Sequence, residues 1–118
     1  MSTLEVSEII ATGETAGRAV SGIAAAWVNF DGTGTIAVRD SVNVASLTDN
    51  GTGQYGINFI SSFSNSSYSA LSNAENDTIV GHVGTWNATN WAIATRNSST
   101  NSLEDEQFAS VSIHGDLA

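Results

Sequence analysis

From residue 24 onward, apolar and polar residues alternate along the chain with a period of two. In the first such stretch, Ala26, Val28 and Phe30 fall on one face. Trp27 and Asn29 fall on the other face, because successive side chains of a strand point to opposite sides. No part of the sequence sustains the 3.6-residue period of an amphipathic helix. This alternation predicts strands that each bury one face.

Further stretches of the same kind follow at intervals of about ten residues, separated by turn-forming residues. TDNGTG at residues 48–53 is the strongest turn, because Asn50-Gly51 favours a type I′ hairpin. The pattern predicts an all-β protein, an antiparallel β-sandwich or jelly-roll-like domain of about eight short strands. The stretches are AAWVNF, TIAVRDSVNVASL (two strands), QYGINF, YSAL, TIVGHVG, NWAIATRN and FASVSIHG.

The polar composition favours the same fold. Ser, Thr and Asn make up a third of the chain, whereas Lys and Glu are scarce. Helix surfaces are usually built from Lys, Glu, Gln and Arg, because those side chains lose little rotamer freedom in a helix. Ser, Thr and Asn suit strands, turns and loops instead.

Charge and cysteine content argue against several classes of partner and site. The 12 acidic and 3 basic residues give a net charge of −9, which repels phosphate backbones and anionic lipid, so no nucleic-acid partner is expected. No apolar run approaches the roughly 18 residues of a membrane span, so no membrane partner is expected. The absence of Cys excludes disulfides, thiolate metal sites and a cysteine nucleophile.

The first 23 residues differ from the rest of the chain. They carry three glycines at short intervals and no clean period. We interpret residues 1–23 as an extended N-terminal arm that orders on a partner chain, and residues 24–118 as the β-sandwich domain.

Gly32, Gly34 and Ala37 have the G-x-G-x-x-A spacing of a phosphate-binding turn. A dinucleotide site needs a helix directly after these glycines, so that the helix N-terminus receives the pyrophosphate. Here the glycines lead into TIAVRDSVNV, which is β-branched and alternates with period two. The spacing therefore predicts the bend of a β-hairpin.

The sequence offers no clear catalytic or metal-binding constellation. His82 and His114, the only histidines, lack the spacing of zinc ligands. The run Glu104–Glu106 contains three adjacent carboxylates, and such groups can bind Ca²⁺. Successive strand residues point to opposite faces, however, which favours a solvated acidic loop. We therefore expect no enzyme activity, no catalytic residues, no cofactor and no metal.

Two tryptophans allow a different function. Trp86 and Trp91 bracket the segment NATN, and exposed aromatic rings beside Asn side chains are suited to contact a glycan. The alternative, which we favour, is that these two rings and Trp27 fill a small β core, where large rings dominate burial.

The elements AWVNFDGTGT, RDSVNV, TDNGTG and the aromatic strand at Tyr55–Phe59 occur in this order, and FASVSIHG follows at residues 108–115 as a strand that ends in a Gly. This series resembles a module of tail-fibre and other virion structural proteins of tailed phages, especially marine and cyanobacterial ones. The resemblance is specific over residues 26–59, weaker through 60–105 and absent from residues 1–23.

The resemblance implies a non-enzymatic virion structural protein, such as a capsid decoration, head fibre or tail-fibre subunit. It implies assembly as a homotrimer that is exposed on the virion, with residues 1–23 docking to capsid or tail proteins. The alternative hypothesis is a carbohydrate-binding module for host-surface recognition, in which Trp86 and Trp91 contact the glycan.

Overall fold

The computed structural model, which describes residues 2–76, 78–84 and 86–118, is an all-β structure in three antiparallel sheets. Its elements are β1 (Glu8–Ile9), β2 (Arg18–Ala19), a 3₁₀ turn (Val20–Gly22), β3 (Ala24–Asp31), β4 (Ala37–Val42), β5 (Val44–Asp49), β6 (Gln54–Phe59), β7 (Ser69–Ala74), β8 (Thr78–His82), β9 (Asn90–Asn97) and β10 (Ala109–His114).

Eight of these strands form a β-sandwich, which confirms the predicted fold class. The first sheet has the strand order β4-β3-β10-β7, and the second has the order β5-β6-β9-β8. Consecutive strands β3–β4, β5–β6 and β8–β9 are hairpins. The pairs β3–β10 and β6–β9 join distant parts of the chain at the centre of each sheet. Among the described residues, β1 and β2 pair only with each other.

The core lies between the two sheets and follows the alternation seen in the sequence. Ala26, Val28 and Phe30 of β3 are buried, as predicted. Val111 of β10 lies opposite Val28 and is also buried. The second sheet contributes mainly aromatic and branched side chains to the same cluster, among them Tyr55, Ile57, Phe59, Trp91 and Ile93.

The G-x-G-x-x-A segment is the bend of the β3–β4 hairpin, as the sequence predicts. Asp31 begins the bend, and its carboxylate accepts hydrogen bonds from the backbone N–H and the hydroxyl of Thr33. These bonds from Thr33 lower the pKa of Asp31, because they stabilise its charged form. Gly34 follows with a φ of 55°, a conformation that glycine adopts without steric cost.

The TDNGTG segment also closes a hairpin, but the predicted type I′ turn is wrong. The connection between β5 and β6 spans residues 50–53, and Gly51 and Gly53 carry the positive φ values. The backbone N–H of Asn50 donates a hydrogen bond to Gln54 O over 2.9 Å. The backbone N–H of Gln54 donates one to Gly51 O over 3.1 Å. The chain contains glycines at both positions that need positive φ, and this favours the longer loop over the two-residue turn.

β4 and β5 are separated by one residue, Asn43, at which the chain passes from the first sheet to the second. Asn43 has a φ of 57°, a left-handed conformation that Asn tolerates better than most residues. The Asn43 side chain stabilises this change of sheet through two hydrogen bonds. Nδ2 donates to Ser61 O over 3.0 Å, and Oδ1 accepts from Ser61 N–H over 2.7 Å.

Candidate functional site

Residues 2–23 lie outside the two large sheets and form an arm whose centre is the β1–β2 hairpin. Each of its two strands is two residues long. Every residue from 2 to 20 is exposed. Gly13 turns the chain with a φ of 91°, and Arg18 forms an ion pair with Glu14 on the return. The arm therefore has no core of its own.

Apolar side chains of the arm point into solvent. Leu4 is 84% exposed and Ile10 is 52% exposed. The other exposed apolar side chains of the arm are Val6, Ile9, Val20 and Ile23. At its base, the arm and the last residues of the chain border a cavity of about 480 Å³ that includes Val20, Ile23 and Leu117.

The molecule has more accessible surface and a larger radius of gyration than a compact monomer of its size. The accessible surface is 7008 Å², whereas a compact monomer of 12.2 kDa exposes about 6,100 Å². The radius of gyration is 15.9 Å, whereas a compact chain of this length has one of about 13.5 Å. The exposed surface includes the apolar side chains of the arm.

The two tryptophans predicted as glycan contacts lie in one aromatic cluster, which consists of Tyr68, His82, Trp86 and Trp91. The Trp86 and Trp91 rings meet edge-on with centroids 5.6 Å apart, and Trp86 also lies 5.1 Å from Tyr68. Trp91 is only 3% exposed, whereas Trp86 is 38% exposed at the rim of the cluster. In this arrangement Trp91 presents no open ring face to a sugar, and only Trp86 is accessible.

His82 joins the cluster rather than a metal site. Its ring stacks on Trp91 at 5.1 Å with an interplanar angle of 22°. Nδ1 lies 3.0 Å from Ala92 O, and Nε2 lies 2.9 Å from Gly84 O. A neutral imidazole has one N–H and donates to only one of these carbonyls, whereas the imidazolium donates to both.

Trp27 differs from the other two tryptophans. It is half-buried on the outer face of the first sheet, as the alternation of β3 predicts, and is not among the core residues. The prediction that all three tryptophans fill the core is therefore wrong for Trp27, and also for Trp86, which is exposed and is not among the core residues. Trp91 is in the core, and its Nε1 is buried with no hydrogen-bond partner among the described residues.

The acidic segment LEDEQ is a loop in which Glu104 and Asp105 are exposed, as the sequence predicts, but the prediction is wrong for Glu106. Glu106 is 3% exposed, and its Oε1 accepts a hydrogen bond of 2.7 Å from the Thr78 hydroxyl. Oδ1 of Asp105 accepts a 2.7 Å bond from Gly53 N–H and a 2.8 Å bond from the Tyr55 hydroxyl. The segment thus closes one end of the sandwich through donors that come from distant parts of the chain.

Burial and these bonds change the ionisation of the two tyrosines in the core. Burial, followed by the neighbouring Asp105 carboxylate, raises the pKa of Tyr55 far above its ordinary value, because both disfavour a phenolate. Burial also raises the pKa of Tyr68, whose hydroxyl donates to Asn87 O over 2.9 Å. Both hydroxyls are therefore neutral hydrogen-bond donors near neutral pH.

Comparison with known protein families, curated proteins and solved structures finds no match. Within residues 2–76, 78–84 and 86–118, no three acidic, His or Cys side chains are grouped so as to hold a metal ion. The same part of the chain contains no helix long and apolar enough to cross a membrane.

Proposed function

We propose that this protein is a non-enzymatic structural component of a tailed-phage particle. It is a capsid decoration, head fibre or tail-fibre subunit that assembles as a homotrimer and is exposed on the virion, and residues 1–23 dock it to capsid or tail proteins. The observation that carries the proposal is the isolated, apolar hairpin of the arm. The class of particle follows from the resemblance of residues 26–59 to a virion module.

The arm is the segment that needs a partner. A two-stranded hairpin is at best marginally stable in water unless it packs against another element. Here each strand has only two residues, and neither joins the edge of another sheet. Fully burying a Leu, Val or Ile side chain contributes about 1.5–3 kcal/mol. Several such side chains in the arm are about half exposed, so covering them supports a stable docking contact.

The homotrimer is supported by the outer edges of the sandwich. β4 and β8 are edge strands, and each offers a row of unpaired backbone groups to another chain. Val38 and Val42 of β4 are 44% and 46% exposed, and Ile79 of β8 is 48% exposed. Contacts between copies cover these edges and remove apolar area from water at roughly 25 cal/mol per Å².

The docking step is tested by cosedimentation with the particle whose genome encodes the chain, using particles that lack the protein. The full chain is expected to sediment with the particles, and a variant lacking residues 1–23 is expected to remain in the supernatant. Ile10→Asp places a charge on the apolar side of the contact and is expected to prevent binding. Thr12→Asp, an equally exposed position in the same loop, is the matched control and is expected to bind normally.

Binding of the truncated chain would contradict docking through the arm. Equal binding by the Ile10→Asp and Thr12→Asp variants would show that apolar contacts of the arm do not drive docking. Failure of the full chain to sediment with the particles would contradict the virion role itself.

A further inference from the structure

A groove runs along the outer face of the first sheet, above the central strand β10. Its floor is formed by Ser110 and Ser112, whose small side chains leave a channel between the neighbouring strands β3 and β7. The strand register sets Ser112 between Trp27 and Leu71, and Ser110 between Asn29 and Asn73.

The groove is long enough for an extended ligand. The part beside Trp27 has a volume of about 390 Å³. A second cavity of about 260 Å³ shares Ser110 with it and continues to Phe108, whose ring is 48% exposed. From Ser112 to Phe108 the strand rises roughly 13 Å, at about 3.3 Å per residue. The groove therefore has the Trp27 ring at one end and hydroxyl and amide groups in the middle. At the other end the Arg39 guanidinium lies over the Phe108 ring, 3.9 Å from its centroid, and the Glu75 carboxylate accepts hydrogen bonds from the backbone N–H groups of Gln107 and Phe108.

The polar groups of the groove have spare hydrogen-bonding capacity. No described residue hydrogen-bonds Trp27 Nε1 or the hydroxyls of Ser110 and Ser112. Asn29 and Asn73 use their side-chain oxygens, one for Arg39 at 3.4 Å and the other for Ala74 N–H at 3.0 Å, and their amide nitrogens stay free. These donors and acceptors are neutral and point away from the core.

These observations select the chemistry of the ligand. An extended peptide binds a sheet by pairing with an unpaired edge, but β10 is already paired on both sides, by β3 and β7. The ligand must then be recognised by side chains alone. Neutral amides and hydroxyls beside the Trp27 ring complement a molecule with many hydroxyl groups and apolar C–H faces. The net charge of −9 disfavours an anionic ligand.

We propose that this groove binds a short neutral oligosaccharide, with one sugar ring stacked on Trp27 and its hydroxyls bonded to the Ser and Asn side chains. The site is distinct from the aromatic cluster at Trp86 and Trp91 and does not depend on the proposed virion role. Binding requires both the exposed aromatic ring and the polar floor. Because they lie on different residues, each can be removed by its own substitution.

The test is an NMR titration of the ¹⁵N-labelled full chain with short neutral oligosaccharides of glucose, galactose, mannose and N-acetylglucosamine. Sulfated counterparts serve as anionic probes. The chain has three indole N–H groups, and comparison with a Trp27→Phe spectrum assigns the signal of Trp27. We expect a neutral oligosaccharide to shift the Trp27 signal and leave that of the buried Trp91 in place.

Two variants and one control locate the site. Trp27→Ala removes the stacking ring from a half-buried surface position and is expected to weaken binding by about tenfold or more. Ser112→Val keeps the ring, fills the floor and is expected to weaken binding as well. Trp86→Ala is the matched control, since it removes the other accessible indole and is expected to leave the affinity unchanged.

The proposal is overturned if none of the neutral probes shifts the Trp27 signal, or if the sulfated probes bind more tightly. It is equally overturned if Trp86→Ala abolishes binding while Trp27→Ala does not. If Trp27→Ala lowers the mass of an oligomer, the groove is an interface between copies and the sugar site is excluded.

Discussion

The hydrogen bond from the Tyr55 hydroxyl to Asp105 makes Tyr55→Phe the sharpest test of how this sandwich is closed. The Tyr55 side chain is fully buried, and its hydroxyl lies 2.8 Å from Oδ1 of Asp105. A hydrogen bond to a charged group contributes about 1.5–3 kcal/mol to folding. Gly53 N–H still donates to the same carboxylate oxygen after the substitution, so Asp105 keeps one partner. We therefore expect Tyr55→Phe to lower the free energy of unfolding by about 2 kcal/mol.

Tyr68→Phe is the matched control, because it removes the same hydroxyl from a neutral acceptor. Tyr68 donates to the carbonyl oxygen of Asn87 over 2.9 Å and is 7% exposed. A neutral bond contributes about 1 kcal/mol, so this variant is expected to lose about half as much stability. At about 4 °C per kcal/mol for a domain of this size, the melting temperatures of the two variants should differ by about 4 °C.

Urea unfolding followed by tryptophan fluorescence gives both free energies, and Asp105→Asn completes the comparison. Asp105→Asn removes the charge but keeps an acceptor of the same shape. If the carboxylate strengthens the bond, Tyr55→Phe costs clearly less when it is combined with Asp105→Asn than when it is made alone. A Tyr55→Phe variant as stable as Tyr68→Phe, with no coupling to Asp105→Asn, would refute the charge-assisted closure.

Further predictions concern the core, one glycine and alkaline pH. Trp91→Ala should cost about 3–5 kcal/mol in urea unfolding, and Trp86→Ala far less, since only Trp91 is buried in the core; equal losses would contradict this. Gly53→Ala should destabilise much more than Gly51→Ala, although both glycines have positive φ. An added Cβ at Gly53 lies 2.6 Å from a carbonyl oxygen, and one at Gly51 meets no atom within 4 Å. Because the raised pKa values of the two buried tyrosines disfavour their phenolates in the fold, their contribution to stability is complete below pH 10. This contribution is lost as the pH rises above 10. The Tyr55→Phe variant should therefore lose less stability above pH 10 than the unsubstituted protein does. An equal loss in the two proteins would contradict the role given to the Tyr55 hydroxyl.

The strands were predictable because each buries one face, and burial imposes the period of two. The alternation in β3 even placed Trp27 outside the core, whereas the argument from ring size placed it inside. The pairing of β3 with β10 was not predictable, because the register between residues far apart leaves no local trace in the sequence. The turn type at residues 50–53 was also missed, since two glycines compete for the positive φ positions.

The candidate sites were less predictable than the strands for the same physical reason. A run of acidic residues suggests a solvated loop, but Glu106 is buried. Its carboxylate accepts a hydrogen bond from Thr78, a donor that only the folded chain brings close to it. The groove on β10 depends on side chains from three strands, two of which are separated by about 40 residues in the sequence. Trp86 and Trp91 are close in sequence, which suggests a shared role, but the fold buries Trp91 and leaves Trp86 exposed.

We propose that the chain is a homotrimeric component of a virion. The most direct measurement is the mass of the purified full chain in solution, by size-exclusion chromatography with multi-angle light scattering. The account predicts a mass of three times 12.2 kDa that persists on dilution. A single species of 12.2 kDa at all concentrations would contradict it.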